Sequence, residues 1–187
     1  RGFTAGYSIL SICMLALLIW AAGEAPFVEL WPQMTWQRHV VHLGMLLVCF
    51  ILAFAIARPN PFSFGGAHSD RFDPTRPGIV RLTRHPILIA MALWAGLHML
   101  PNGDLAHVIL FGVLGGFALV GRKVINARKQ RIMGADTWHT LNTAVGKTPY
   151  FTPPQSMIGA VIRFACGILM FAGLLWLHPF VIGVTAI

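Results

Sequence analysis

The sequence predicts an all-α, polytopic transmembrane bundle: five spans in one integral membrane domain over residues 1–187, plus one helix on a membrane face. Three observations predict it. Of the 187 residues, 11% are charged and 56% hydrophobic, with a mean hydropathy of +0.69; a water-soluble domain carries about 25% charged residues. Five long windows contain no Asp, Glu, Lys or Arg. Thirteen of the fourteen Lys and Arg fall on one side when those windows are threaded back and forth.

The windows are Thr4–Gly23, His39–Ala57, His85–Gly103, Leu105–Gly121 and Phe164–Ile187, of 20, 19, 19, 17 and 24 residues. A span needs roughly 20 mainly apolar residues at a rise of about 1.5 Å each. Only helices and closed barrels satisfy the backbone in lipid, and the alternation of barrel strands is missing. No small-x-small cleavage site follows the first window, so it reads as a span and not as a signal peptide. Arg58-Pro59-Asn60-Pro61 ends the second span, and the Pro-, Gly- and Ser-containing run Phe62–Pro77 reads as a surface loop. Asn102-Gly103-Asp104 joins spans three and four as an antiparallel hairpin, with Asp104 as N-cap of the fourth. Residues Arg122–Thr143 read as a basic helix that leaves the membrane and lies on its face. Gly112 and Gly116 form a small-x-x-x-small pair of the kind found on helix-packing faces.

Arg1, the 58–84 loop and the 122–163 segment hold the thirteen cations, and Arg38 is alone on the other side. The positive-inside rule then places both long segments in the cytoplasm, facing anionic lipid, and Ile187 outside. The net charge of +8 is read as this membrane asymmetry and excludes nucleic acid as the expected partner. Cys13, Cys49 and Cys166 form no paired spacing, so neither a disulfide framework nor a zinc knuckle is encoded.

Polar residues within spans are costly, which draws attention to the eight histidines. Imidazoles in lipid are ready ligands for haem iron or another transition metal. His85, between Arg84 and Pro86, is expected to cap helix three, with Arg81 and Arg84 placed to pair with a propionate, phosphate or carboxylate. A histidine at the lipid–water boundary flanked by orienting arginines is the alternative. His39 and His42 share a helix face, as do Trp94 and His98. His42 and His98 should lie at similar depth and form an outer imidazole pair. Interfacial His and Trp anchoring the helix ends is the alternative there. No paired-carboxylate, Ser-His-Asp or Walker-type motif is present.

Arg84-His85-Pro86, Leu93-Trp94, His98 and Asn102-Gly103-Asp104-Leu105, with Gly6-Tyr7-Ser8, Trp20, Trp36, Arg38 and His39 upstream, resemble the NnrU family of bacterial inner-membrane proteins. The resemblance implies a multi-pass protein linked to denitrification, nitric oxide or redox metabolism. It also implies one more helix before the segment equivalent to Gly6–Trp20. Through a relationship to zeta-carotene isomerase it implies haem b, with His85 as the first candidate axial ligand; the partner ligand of that enzyme lies on the preceding helix, and within this chain His42 or His98 would have to serve. A weaker resemblance, carried by Gly78–Pro86, Gly134 and Thr148–Pro153, is to isoprenylcysteine carboxyl methyltransferases, and implies S-adenosylmethionine as cofactor. The acidic pair of those enzymes is replaced here by Arg128-Lys129-Gln130-Arg131. A third possibility is a non-catalytic assembly subunit that docks a membrane-protein partner or a second copy of itself.

Overall fold

The computed structural model describes residues 2–183. The expected positions of Arg1 and of residues 184–187 lie outside the described residues, as do the side chains of residues 2–4 and of Tyr7. The described chain is helical: α1 (Gly2–Glu24), α2 (Thr35–Ala55), α3 (Pro86–Met99), α4 (Leu105–Met133), α5 (Ala135–Lys147) and α6 (Met157–Ile182). Two short 3₁₀ turns, Ser69–Arg71 and Gly78–Arg81, lie between α2 and α3. Each of the five uncharged windows falls on a helix. Three helices, α2, α4 and α6, are long and apolar enough to cross a membrane, with best-window mean hydropathies of 1.9, 1.9 and 2.2. The apolar part of α1, Ser8–Glu24, and α3, with 14 residues, fall short of that length.

The helix ends follow local chemistry. α2 starts before its uncharged window because Gln37 Oε1 accepts from the Met34 backbone N–H at 2.7 Å, satisfying a donor that the first turn leaves open. α3 starts at Pro86, where a missing N–H costs nothing, with His85 as N-cap. Asp104 caps α4: its carboxylate accepts from the backbone N–H of His107 at 3.1 Å. α4 then runs past Gly121 through the basic residues to Met133. The expected Arg122–Thr143 helix is therefore two helices, broken at Gly134. There φ is +86°, a region that L side chains rarely adopt.

From α2 to α4 consecutive helices alternate in direction, and α6 runs again from the end that α4 reaches. The α3–α4 hairpin defines one end of the bundle, the turn end. The chain between α1 and α2 docks there: the Leu30 N–H donates to Gly103 O at 2.7 Å, and Trp31 Nε1 donates to Leu100 O at 2.9 Å. The C-terminus of α2, the N-terminus of α3, the basic half of α4, α5 and the start of α6 gather at the opposite, basic end. α2 is central, packing on α3 and α6. Two glycines permit this. A Cβ on Gly44 would overlap the Leu97 side chain, and one on Gly167 would meet the Phe50 ring at 2.6 Å. Beside the second contact, Phe50 and Phe164 stack at 4.8 Å between centroids. The close approach of α3 and α4 is made by Gly115 against Ala95, whereas a Cβ on Gly112 or Gly116 would meet nothing within 4 Å.

One expectation is overturned. The stretch after Arg58 is not simply a surface loop, because Phe62 is 0% exposed and Ser63 is buried. Phe62 sits with Val80, Trp138 and Val145 in a small core that fixes α5 against the basic end, its ring edge-on to Trp138 at 6.0 Å. An aromatic ring flanked by Pro and Ser has no local period to mark it as buried. Burial comes from α5, more than 70 residues further along the chain.

Candidate functional site

Two cavities, one at each end of the bundle, collect polar residues of the helices and the segments that join them. At the basic end, Asn60 organises the loop after α2. Its side-chain N–H donates to Arg84 O at 3.1 Å, and its Oδ1 accepts from the Phe62 N–H at 3.0 Å. This brings Ser63 beneath the start of α3, where His85 is 2% exposed. His85 Nε2–H donates to Asn126 Oδ1 on α4 at 2.8 Å, and Ser63 Oγ–H donates to His85 Nδ1 at 3.0 Å. Both ring nitrogens are thus engaged. A cleft of about 500 Å³ opens beside the imidazole, lined by Ile51, Leu82, Arg84, Ile89, Arg122 and Asn126 among others.

The arginines next to His85 bind the protein itself. Arg84 donates from Nε to Asn142 Oδ1 at 2.8 Å, from Nη2 to Asn142 O at 3.2 Å and from Nη1 to Val80 O at 2.7 Å. Its guanidinium lies 5.5 Å from the Phe62 ring centroid. Burial holds the Arg84 pKa below its ordinary value, and the neighbouring charge of Arg81 adds to that. Arg81 donates from Nε to Thr148 O and lies 4.0 Å over the Tyr150 ring. Together the two arginines fasten α5 and the segment after it to the 3₁₀ turn that precedes α3.

At the turn end, α2, α3 and α6 enclose a cavity of about 420 Å³. Arg38, His42, Met45, His98, Asn102 and His178 line it, with Phe171 and Leu174. Here the expected pair, His42 and His98, faces one space. His98 Nδ1–H donates to Trp94 O, one turn back, at 2.8 Å. The proton on Nδ1 leaves the lone pair on Nε2, the arrangement in which metal-binding imidazoles are commonly oriented. The ring lies 4.9 Å from Trp94 and 5.3 Å from Phe111, and Asn102 holds the His98 carbonyl at 2.7 Å. His39 is exposed on α2 and does not line the cavity. His107 is bound to Asp104, with Nδ1 2.7 Å from Oδ2.

The residues therefore fit haem differently at the two ends. An axial ligand needs a free nitrogen lone pair. His85 is engaged at both nitrogens, whereas the hydrogen bond from His98 to Trp94 O uses Nδ1, and His98 lines one cavity with His42 and Arg38. Among the described residues no group of three or more His, Cys, Asp or Glu is arranged to hold a metal ion. A bis-imidazole haem needs only two donors.

Sequence reasoning passed over Ser63, Asn126 and Asn142, and did not assign Arg38 or His178 to a site. Two signals were available. Asn126 and Asn142 are amides in helical stretches with apolar neighbours, and Arg38 is the lone cation on its side of the chain.

A family model described as NnrU protein matches residues 1–186, essentially the whole chain. No curated protein and no solved structure matches it.

Proposed function

The chain belongs to the NnrU family, and from that premise we propose that it is a haem-binding inner-membrane protein of redox or nitrogen-oxide metabolism, with iron held at the turn end by His98 and His42. In this reading five helices cross the bilayer. The basic end is cytoplasmic, α5 lies on that face, and the C-terminus is outside. The charge asymmetry supports the orientation, since all the Lys and Arg of residues 58–163 lie in the two segments that meet at the basic end.

The observation that supports the haem reading is that His98, whose Nδ1–H donates to Trp94 O, lines the same cavity as His42. The haem, when bound, supplies one-electron redox chemistry at iron. Every other role belongs to the chain. His98 and His42 would be the nitrogen donors, and Arg38 could pair with a propionate carboxylate. Met45, Phe171 and Leu174 exclude water, and Trp94 and Phe111 fix the plane of the His98 ring. Two imidazole donors favour electron transfer over capture of a gas molecule at an open position. His85 serves in this reading as a structural imidazole at the opposite end.

The test is the optical spectrum of the detergent-purified chain expressed with haem supplied. A Soret band is expected in the wild type and in His85→Ala, and its loss is expected in His98→Ala and His42→Ala. A colourless wild type overturns the haem reading. A band lost only in His85→Ala moves the iron to the basic end.

A further inference from the structure

A third cavity, of about 330 Å³, lies at the basic end between the C-terminus of α2 and the start of α6. It belongs to neither site described above. Arg58, Arg76 and Arg163 line it, and no carboxylate does. Arg163 is fixed from below: Nη1 donates to Ala53 O and, at 3.0 Å, to Ile56 O, carbonyls that the end of α2 leaves without helical partners. The side chains of Arg58 and Arg76 make no hydrogen bond or ion pair among the described residues. Asp73, the acid nearest Arg76 in sequence, accepts from Thr75, from its N–H at 2.8 Å and its hydroxyl at 2.7 Å, and feels the charge of Arg76 without forming an ion pair with it.

Three like charges around one space are held together at a cost unless an anion joins them. Guanidinium forks match a phosphate or a carboxylate. The rest of the lining narrows the choice. Thr152, Gln155 and Ser156 offer polar groups, and Phe54, Ile79 and Pro153 offer apolar ones. Beside the cleft, Ile158 and Ile162 on α6 are 75% and 56% exposed, so an apolar helix surface starts where the arginines stop. A ligand that suits both halves is an amphiphile with an anionic head.

We propose that this cleft is a binding site for the phosphate head of an anionic membrane phospholipid, with Arg58, Arg76 and Arg163 as phosphate donors and the acyl chains lying along the first turns of α6. Basic pockets between spans are suited to such heads. The site anchors the α2–α6 pair at the depth of the headgroups.

The experiment compares lipid retention by native mass spectrometry and thermal stability in detergent. Phosphatidylglycerol, phosphatidylcholine and inorganic phosphate are each added to the full chain. Phosphatidylglycerol is expected to be retained and to stabilise; the other two are not. In the double variant Arg58→Gln/Arg76→Gln its binding is expected to weaken by about 30-fold. Arg163 is left intact because it also holds the end of α2. The charge-matched control Lys123→Gln/Arg128→Gln, on the exposed side of α4, is expected to bind as the wild type does. Equal loss in both double variants overturns the proposal in favour of general surface attraction. Equal effects of phosphatidylcholine and phosphatidylglycerol on the wild type overturn head selectivity, even if a variant fails to fold. Displacement of the lipid by inorganic phosphate at equal concentration overturns the lipid as ligand in favour of the soluble anion.

Discussion

His85 Nε2–H donates to Asn126 Oδ1 at 2.8 Å, so one buried imidazole joins the N-cap of α3 to the basic half of α4. Removing the acceptor leaves a buried N–H unpaired, which costs about 1–3 kcal/mol. Asn126→Ala is therefore expected to lower the thermal unfolding midpoint in detergent. Ser63→Ala is expected to lower it less, because the hydroxyl supplies a single neutral hydrogen bond. A midpoint unchanged in Asn126→Ala would show that the imidazole is satisfied by other means.

The acceptor for His98 Nδ1–H is a main-chain carbonyl, not the indole of Trp94. Trp94→Phe is thus expected to keep the orientation of the imidazole and to retain haem nearly as well as the wild type. His98→Ala removes the donor and is expected to lose the Soret band. If Trp94→Phe bleaches the protein while His98→Ala stays coloured, the assignment of roles on α3 is reversed.

Arg84 reaches both the side chain and the main chain of Asn142. Hydrogen bonds to a charged group are worth about 1.5–3 kcal/mol each. Arg84→Met is expected to loosen α5, seen as faster tryptic cleavage after Lys147. Arg84→Lys should not restore protection, since an ammonium lacks the planar fork that meets two acceptors at once. Equal cleavage rates in all three proteins would place the hold on α5 in the Phe62–Trp138 contact alone.

At Asp104, burial by itself raises the carboxyl pKa. The hydrogen bonds from the His107 ring and N–H, with the ring's charge, outweigh that and leave it below the usual carboxylate value. A carboxylate whose folded pKa is depressed adds stability that is complete above its unfolded pKa and is lost as pH falls through the folded value. Unfolding in detergent is therefore expected to become easier as pH drops through and below the ordinary carboxylate range. Asp104→Ala should cost about 1 kcal/mol at neutral pH, the usual value of an N-cap, and should flatten this acid step. An acid step of the same size in Asp104→Ala would assign it to other carboxylates.

A Cβ on Gly44 has no room beside Leu97, so the α2–α3 crossing depends on glycine there. Gly44→Leu is expected to destabilise by about 1–3 kcal/mol through overpacking. Gly112→Leu, on an open face of α4, should leave the midpoint of the isolated protein unchanged. The ranking of the two variants in a thermal scan checks both statements, and the opposite order would move the tight helix contact to α4.

Much of the fold was legible because helix formation and lipid compatibility are local properties. Asp104 before an apolar run and His85 before Pro86 marked helix starts that the structure keeps. Helix ends were legible only where a chemical signal stood. α4 passes straight through the charges that had suggested a boundary at Gly121 and stops only at Met133, before Gly134. The candidate site was legible in part. His42 and His98 share a cavity as their depths implied, but nothing near position 178 or 38 in the sequence shows that both line it too.

The sequence by itself determined the apolar character of the helices, the helical class of the chain and the end of the bundle at which the cations collect. Each of these follows from composition or from contacts within a few residues. The tertiary structure alone decided that His85 is bound on both nitrogens, that His98 Nδ1 meets Trp94 O, that Phe62 is buried and that three arginines share a cleft. The reason is rotational. A helix that is apolar nearly all round carries no stripe to say which face turns inward. Partners dozens of residues apart are then chosen by helix crossings at points such as Gly44 and Gly167, where backbones approach closely enough to fix the register.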